Sequence, residues 1–361
     1  MNLARPASQQ EIEEIGKFIE TELTDVLNAI ENVRAIGIGN KVTTDADVGH
    51  IAICFYVQKK IDVALLEEDQ RVVPYYFIPA IQMAIVTDVQ PMGGYKPKVN
   101  LSMRFGGIKS FFELREIDLV TRNPHPDRPQ QKNPRNRFQA VLRPGYSIES
   151  SWTNLPGTLG MIAYVANEPH IVSCHHLLGP VNQTVRQPSH YDLDDQINEY
   201  QQYTVGTVKF AWDDIDISIA HVQSREVDPR IFGFEEETIP IKAAAPAIGD
   251  HVIKSGRQTQ VTHGQVKGIK AIIKKKGDKV LKRQFIIGMH PDYPPPFYEI
   301  TKNSDSGCPW MKVDGLEPGN TILGIHIGGD IHDADRNPSR EFAYATEVIA
   351  IQEKINFSFK L

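Results

Sequence analysis

Apolar residues recur at helical spacing mainly near the two ends of this chain. Ile12, Ile15, Ile19, Leu23, Val26, Leu27 and Ile30 fall on one helical face. Ser8 followed by Glu11 is a capping box that opens this helix, which the pattern ends near Asn32. Thr346–Ile355 (TEVIAIQEKI) has the same spacing and predicts a C-terminal helix. Between the ends, Val33–Val42, Ile51–Val57 and a run near Met83–Val89 read as strands, so the chain begins with an α+β pattern. From about Phe138 the texture changes. Short apolar runs alternate with turn signals at Leu159–Ala166, His170–Ser173, Tyr203–Phe210, Ile215–Val222, His251–Lys254, Gly264–Ile273, Gln284–Gly288, Thr321–Ile327 and Arg340–Ala345. Many short strands without helical periods indicate an all-β barrel or sandwich.

Arg122–Arg137 (RNPHPDRPQQKNPRNR) is polar and basic and holds four prolines. Such a stretch does not pack a core and reads as a linker or a long surface loop. It divides the 361 residues into an α+β domain over 1–121, a linker over 122–137 and a mainly β domain over 138–361. That length suits two domains, and 41% hydrophobic residues supply ample core. The 26 glycines and 24 prolines fit a turn-rich fold.

The net charge of −6 gives no reason to expect a nucleic acid as partner. One stretch departs from that average: Lys267–Arg283 carries eight basic residues and one acid, Asp278. No aromatic residue interleaves them to stack on bases, so the stretch reads as a solvated β-hairpin turning at Lys276-Gly277-Asp278. Cys54, Cys174 and Cys308 are too few, and odd in number, for a disulfide framework. The N-terminus shows no apolar stretch of signal-peptide type, and no apolar run is long enough to span a membrane. The expectation is a soluble protein of a reducing compartment, the cytoplasm, with no membrane partner.

Three short segments carry chemistry. In Thr301–Trp310 (TKNSDSGCPW), Ser306 sits between small and turn-forming residues. A serine on such a tight loop can expose its hydroxyl while loop N–H groups point at one spot, as an oxyanion hole requires; Asp-Ser-Gly is also an ordinary turn. In His170–Leu178 (HIVSCHHLL), a strand runs into His175 and His176 and then two leucines. A histidine held there suits a general base; it also suits a core position or half of a metal site. In Asp213–Ala220 (DDIDISIA), Asp216 lies inside an alternating apolar strand, where a carboxylate needs a partner such as a catalytic histidine. Asp213 and Asp214 read as solvated turn residues and are its rivals. The order His176, Asp216, Ser306 is that of chymotrypsin, not of subtilisin or the α/β-hydrolases.

These segments carry a resemblance. Ser173-Cys174-His175-His176-Leu177-Leu178 resembles the small-x-x-His-aliphatic signature of trypsin-like serine proteases, which takes His176 over His175 as the base. Asp216-Ile217-Ser218-Ile219-Ala220 is similar to their Asp-Ile-Ala-Leu strand. Ser304-Asp305-Ser306-Gly307-Cys308-Pro309 is similar to Gly-Asp-Ser-Gly-Gly-Pro, and Gly157-Thr158-Leu159-Gly160 to the first strand of the first barrel. Lys254-Ser255-Gly256-Arg257-Gln258-Thr259 with Thr262-His263-Gly264-Gln265-Val266 resembles a block of bacterial trypsin-like proteins related to the plant narrow-leaf protease family.

The match runs from about Gly157 to the C-terminus. It implies a chymotrypsin-like double β-barrel, with barrels at about 150–225 and 240–345, a C-terminal helix at about 346–356, and a small α+β domain before them. It further implies a serine endopeptidase acting on a protein or peptide substrate, with catalytic His176, Asp216 and Ser306. The N–H groups of Ser304 and Ser306 would form the oxyanion hole, and no metal or organic cofactor is needed. Ser304 and Cys308 stand where the family has glycines.

Leu323–Gly329 (LGIHIGG) and Thr301-Lys302 resemble the P1-pocket strand and the Thr-Lys pair of picornaviral chymotrypsin-like proteases. That resemblance makes Thr301 and His326 P1-site residues for Gln or Glu, and Gly328 and Gly329 a strand for substrate backbone. In digestive relatives the aspartate matching Asp305 is held by an N-terminus newly released by cleavage, and no such start precedes Gly157. Either Asp305 has another partner, or its loop is ordered by the N-terminal domain or a regulatory protein.

Two other readings remain at this point. One is a pseudoprotease that binds peptides, supported by Ser304 and Cys308. The other is a metal site built from His326, Asp330, His332, Asp333 and Asp335, with His175 and His176 as further ligands, although this spacing matches no common zinc pattern.

Overall fold

The capping box forms as expected. The Glu11 N–H donates to Ser8 Oγ at 3.3 Å and the Ser8 N–H returns a bond to the Glu11 carboxylate at 2.7 Å, opening α1 (Gln9–Glu22). The helix expected to run to Asn32 is instead two. Leu23, at φ −100° and ψ 0°, ends α1, and α2 (Thr24–Ala29) follows. The break turns Leu27 of α2 onto the apolar layer that already holds Ile15 and Ile19 of α1. The computed structural model describes residues 6–43, 46–92, 133–193, 200–234, 238–275, 279–293, 300–315, 317–329 and 341–359. Most of the polar segment 122–137 and the Lys276–Asp278 turn lie outside them.

Four strands follow the helices: β1 (Val33–Thr43), β2 (Ala46–Val57), β3 (Tyr75–Ile78) and β4 (Met83–Pro91), in spatial order β1-β2-β4-β3. Nine more cover the first half of the β domain: β5 (Val141–Leu142), β6 (Ser147–Ser150), β7 (Gly157–Thr158), β8 (Met161–Val165), β9 (Glu168–Cys174), β10 (Thr184–Arg186), β11 (Thr204–Trp212), β12 (Ile217–Val222) and β13 (Glu226–Val227). The one-turn helix α3 (His175–Leu178) follows β9. Seven of these strands form a sheet in the order β7-β6-β10-β11-β12-β9-β8. Its two edges, β7 and β8, are successive parts of one stretch of chain, so the sheet curls back on itself.

The second half supplies β14 (Lys242–Ala243), β15 (His251–Gly256), β16 (Gln260–Lys274), β17 (Val280–Gly288), β18 (Pro309–Asp314), β19 (Glu317–Gly329) and β20 (Phe342–Glu347), then the C-terminal helix α4 (Val348–Lys354). The path β15-β18-β19-β20-β17-β16 closes because β15 also pairs with β16. The protein is thus mainly β, with two curled β units and a C-terminal helix, as the strand pattern predicts.

The N-terminal strands are not a sheet of their own. β1 pairs antiparallel with β16, with Ala35 opposite Ile273 and Ile38 opposite Ile269, so one eleven-stranded sheet runs from β15 to β3. Alternation along β1 serves both faces. Ile36 and Ile38 join the layer under α1, while Ala35 packs with Tyr344 and Ile286 in the barrel core.

At the described end of the polar segment Pro134 and Arg137 are exposed, as in a surface loop, and one side chain anchors it. Arg135 is buried, its Nη1 donates to the Gly145 carbonyl at 3.0 Å, and its guanidinium lies 5.0 Å from the Phe232 ring centroid. The basic stretch over 267–283 forms the expected hairpin of β16 and β17, but most of its described cations are paired rather than solvated. Lys270 reaches Glu13 and Glu347, Arg283 reaches Glu347 and Glu353, and Lys275 and Lys279 reach Asp213. The β16–β17 hairpin lies among carboxylates from α1, α4 and the turn before β12, and of its partners the buried Glu347 is the one that needs a cation.

Candidate active site

β9 and β12 pair antiparallel, with Cys174 opposite Ile217. This register places the residue before β12, Asp216, beside the start of α3. The His176 ring meets it through Nδ1 and Asp216 Oδ2 at 2.5 Å, and the His176 N–H donates to Oδ1 at 2.8 Å. Asp216 was expected inside the strand; it lies one residue ahead, at φ +55°. That left-handed backbone turns the carboxylate back onto both donors of one residue. Asp216 has no solvent exposure. Burial opposes its ionisation, but the His176 ring and the ammonium of Lys275 outweigh burial and hold it below the usual carboxylate range.

The rivals have other employment. His175 Nδ1 donates to Ser218 Oγ at 3.0 Å, because the Ser218 proton goes to the Gly179 carbonyl at 2.7 Å. Asp213 pairs with Lys275 and Lys279, and Asp214 with Lys354.

The Ser306 loop comes from the second barrel and seats on the first. The Thr158 N–H donates to the Ser306 carbonyl at 2.8 Å, and Thr158 Oγ1 donates to the Ser304 carbonyl at 3.0 Å. Gly307 sits at φ +98°, and a Cβ there would stand 2.0 Å from Ser173 Oγ. Only glycine lets the loop lie this close to β9, the strand that ends at the histidines. Ser306 Oγ and His176 Nε2 are both buried and have no hydrogen-bond partner among the described residues. The Ser304 and Ser306 N–H groups likewise have no acceptor there. Buried donors are rarely left so. Ser304 takes φ +77°, a backbone that suits glycine and strains a serine.

Asp305 has a complete set of partners inside the chain. Oδ1 accepts the N–H groups of Gln258 (2.8 Å) and Thr259 (3.1 Å). Oδ2 accepts Thr259 Oγ1 (2.6 Å), the Lys302 N–H (2.9 Å) and Lys254 Nζ (3.2 Å). Burial opposes ionisation, yet Lys254 and the Thr259 hydroxyl hold this carboxyl at about 2. A Cβ on Gly256 would meet Asp305 Oδ1 at 2.4 Å. Residues 254–259 are therefore the cradle of the serine loop. Arg257, in the same run, ties the cradle to the first barrel through Asp192 and through its N–H on Thr158 Oγ1 at 3.0 Å.

Thr301 and His326 also meet. Thr301 Oγ1 lies 2.6 Å from His326 Nε2, and both residues are fully buried. The Trp310 indole N–H reaches His326 Nδ1 at 3.4 Å. Indole only donates, so Nδ1 accepts and Nε2 carries the ring proton toward Thr301. Gly328 and Gly329 pair with Tyr344 and Ala343 of β20, past the end of the β18 ladder. Both are buried.

Cys174, His176 and Asp216 present atoms within 4.8 Å of one another, as a metal would need. They do not suit one. Both Asp216 oxygens bind His176, and the Cys174 thiol, whose ionisation burial opposes strongly, donates to the His326 carbonyl at 3.0 Å. Of the alternative metal set, Asp330, His332, Asp333 and Asp335 lie outside the described residues, and His326 is engaged by Thr301 and Trp310.

Sequence reasoning missed Lys254, Thr259 and Lys275. A lysine inside the apolar strand His251–Gly256 was a legible signal that a buried acid must answer it.

No family model and no curated protein matches the chain. Among solved structures it is similar to Thermobifida fusca protease A, at 15% identity over 61% of this chain and 98% of that chain, with a TM-score of 0.45. It is similar to a glutamic acid-specific serine protease described as using a histidine triad in substrate binding, at 15% identity over 60% and 99%, with a TM-score of 0.45. It is also similar to Nocardiopsis protease, at 13% identity over 62% and 100%, with a TM-score of 0.46.

Proposed function

We propose that this chain is a serine endopeptidase that cleaves peptide bonds by acyl transfer. The observation that carries the reading is the pairing of His176 Nδ1 with buried Asp216 at 2.5 Å, while His176 Nε2 and Ser306 Oγ stay buried without partners. Asp216 holds the Nδ1–H tautomer, so Nε2 is the basic atom. Ser306 Oγ attacks the scissile carbonyl and Nε2 takes its proton. The N–H groups of Ser304 and Ser306 hold the oxyanion. His176 then returns the proton to the leaving amine, and water hydrolyses the acyl-enzyme by the same route.

The Thr301–His326 pair supports a Gln or Glu side chain at P1. His326 donates to Thr301 Oγ1, which leaves the Thr301 proton for a side-chain oxygen of the substrate. The N-terminal α+β segment, joined to the second barrel through β1 and β16, is proposed as a regulatory element.

A peptide library tests the reading, with wild type compared with Ser306→Ala. Cleavage after Gln or Glu, absent in the variant, is the expected result. Cleavage after other residues retains the triad and removes the pocket assignment. Strained Ser304 favours a second reading, a peptide-binding pseudoprotease. Peptide binding without cleavage by either protein would establish it.

A further inference from the structure

The basic stretch Lys267–Arg283 has no part in the mechanism above, yet its cations converge on the turn that ends at Asp216. Lys275 Nζ lies 2.8 Å from Asp213 Oδ1 and 4.0 Å from Asp216 Oδ1. Lys279 Nζ lies 2.8 Å from Asp213 Oδ2. The Lys282 N–H donates to the Asp214 carbonyl at 2.8 Å, and Lys354 of α4 pairs with the Asp214 side chain at 3.0 Å. Thr346 Oγ1 donates to the Ile215 carbonyl at 2.6 Å. Every residue of the acid turn of the first barrel is thus held by the second barrel or its helix.

We propose that Lys275 is a positioning residue for the His176–Asp216 pair, tying the catalytic acid to β16 and so to the N-terminal segment. The proposal rests on the reading of His176 and Asp216 as base and orienting acid. At 4.0 Å the ammonium does not hydrogen-bond Asp216 and acts by charge. It stabilises the Asp216 carboxylate, and in its absence that carboxylate must draw more positive charge from its other neighbour, the His176 ring. The other titratable groups around the pair do not substitute for it. The Cys174 thiol stays protonated in its buried site, and burial lowers the proton affinity of His175. Among the described residues Lys279 reaches only Asp213, and Lys354 only Asp214.

The strand explains how the N-terminal segment takes part. Ile272 and Ile273 of β16 pair with Ile36 and Ala35 of β1. Lys274, next in line, donates to the C-terminal carbonyl of Asn28 in α2 at 3.2 Å. Lys275 points the other way, to Asp213 and Asp216. Two adjacent lysines therefore fasten opposite sides of one strand end, one to α2 and one to the acid turn.

Lys275→Met and Lys275→Arg in the full chain test this, read by two measurements. The first is NMR titration of His176 with labelled histidine, which needs no turnover. The second is the pH profile of kcat/KM on a cleaved peptide. In Lys275→Met the His176 titration moves up by about one pH unit, and kcat/KM falls about threefold at pH 7 and recovers by pH 9. Lys275→Arg restores wild-type behaviour. A folded Lys275→Met protein whose His176 titrates as in wild type overturns the proposal, as does a loss of activity equal at every pH. If the Met variant does not fold, Lys275→Gln carries the same test. A wild type that cleaves nothing while its His176 titration still responds to Lys275 overturns the protease reading alone.

Discussion

Lys254 Nζ lies 3.2 Å from Asp305 Oδ2, and neither side chain reaches solvent. Asp305 stands next to Ser306, and its cation comes from within the second barrel. Lys254→Met leaves Asp305 as a buried charge without a counter-ion. It should destabilise the protein by about 3–5 kcal/mol and abolish peptide cleavage. Asp305 also sets a pH dependence. Its folded value of about 2 lies below the ordinary carboxylate value, so its stabilisation is complete above about pH 4 and is lost as pH falls toward 2. Urea midpoints from pH 5 to pH 2 measure this slope, which should flatten in Asp305→Asn.

Ser304, in the loop proposed to hold the oxyanion, carries backbone strain at φ +77°. Ser304→Gly removes that strain, of order 1 kcal/mol, against a similar entropic cost of adding a glycine. The expected outcome is unchanged stability within about 1 kcal/mol and a kcat at least equal to wild type. Ser304→Val, whose branched Cβ suits this backbone least, should lower the melting temperature and kcat together. Calorimetry and steady-state kinetics on the three proteins check both statements.

Thr301 is proposed to give its hydroxyl proton to the P1 side chain. Thr301→Val keeps the volume and removes that donor. It should reduce kcat/KM for Gln at P1 by about 5- to 150-fold, corresponding to about 1–3 kcal/mol for the unmet hydrogen bond. Cleavage after a P1 residue with no side-chain oxygen should change little. Kinetics on a matched peptide pair decide it.

A histidine cluster on the second barrel should limit stability in acid. His251 Nε2 and His263 Nδ1 are 2.9 Å apart, and the His251 and His290 rings lie 4.0 Å apart. Burial lowers all three, His251 to about 4; the His290 and His263 rings further oppose protonation of His251, and the His290 ring that of His263, while Asp292 favours it at His251 and His290 and Lys267 opposes it at His290. The unfolded chain binds these protons near pH 6.5, so stability falls as pH drops from about 6.5 toward 4. Chemical denaturation across that range measures the loss, and His251→Phe should reduce it.

Much of the fold was legible because its signals are local. Ser8 and Glu11 marked the first helix, and the alternating runs marked most strands to within a few residues. His176, Asp216 and Ser306 each stood out against their neighbours, and the structure brings the first two into contact. The helix break at Leu23 was not legible, because the apolar stripe continues through it. Arg135 reads as linker and is buried, since its partner Gly145 O and the Phe232 ring come from elsewhere in the chain.

By itself the sequence determined the element types, the turn chemistry and the short list of groups able to do acyl transfer, because spacing and residue type act over a few positions. The tertiary structure showed that His176 rather than His175 meets Asp216, and that Asp213 goes instead to Lys275 and Lys279, because those pairings depend on which hydrogen bonds the strand register leaves open. It alone showed that β1 extends the second barrel, that Lys254 answers Asp305, and that most described cations of the basic hairpin are paired. A buried charge finds its partner through distance in space, and Lys275 meets Asp216 across the junction of two barrels.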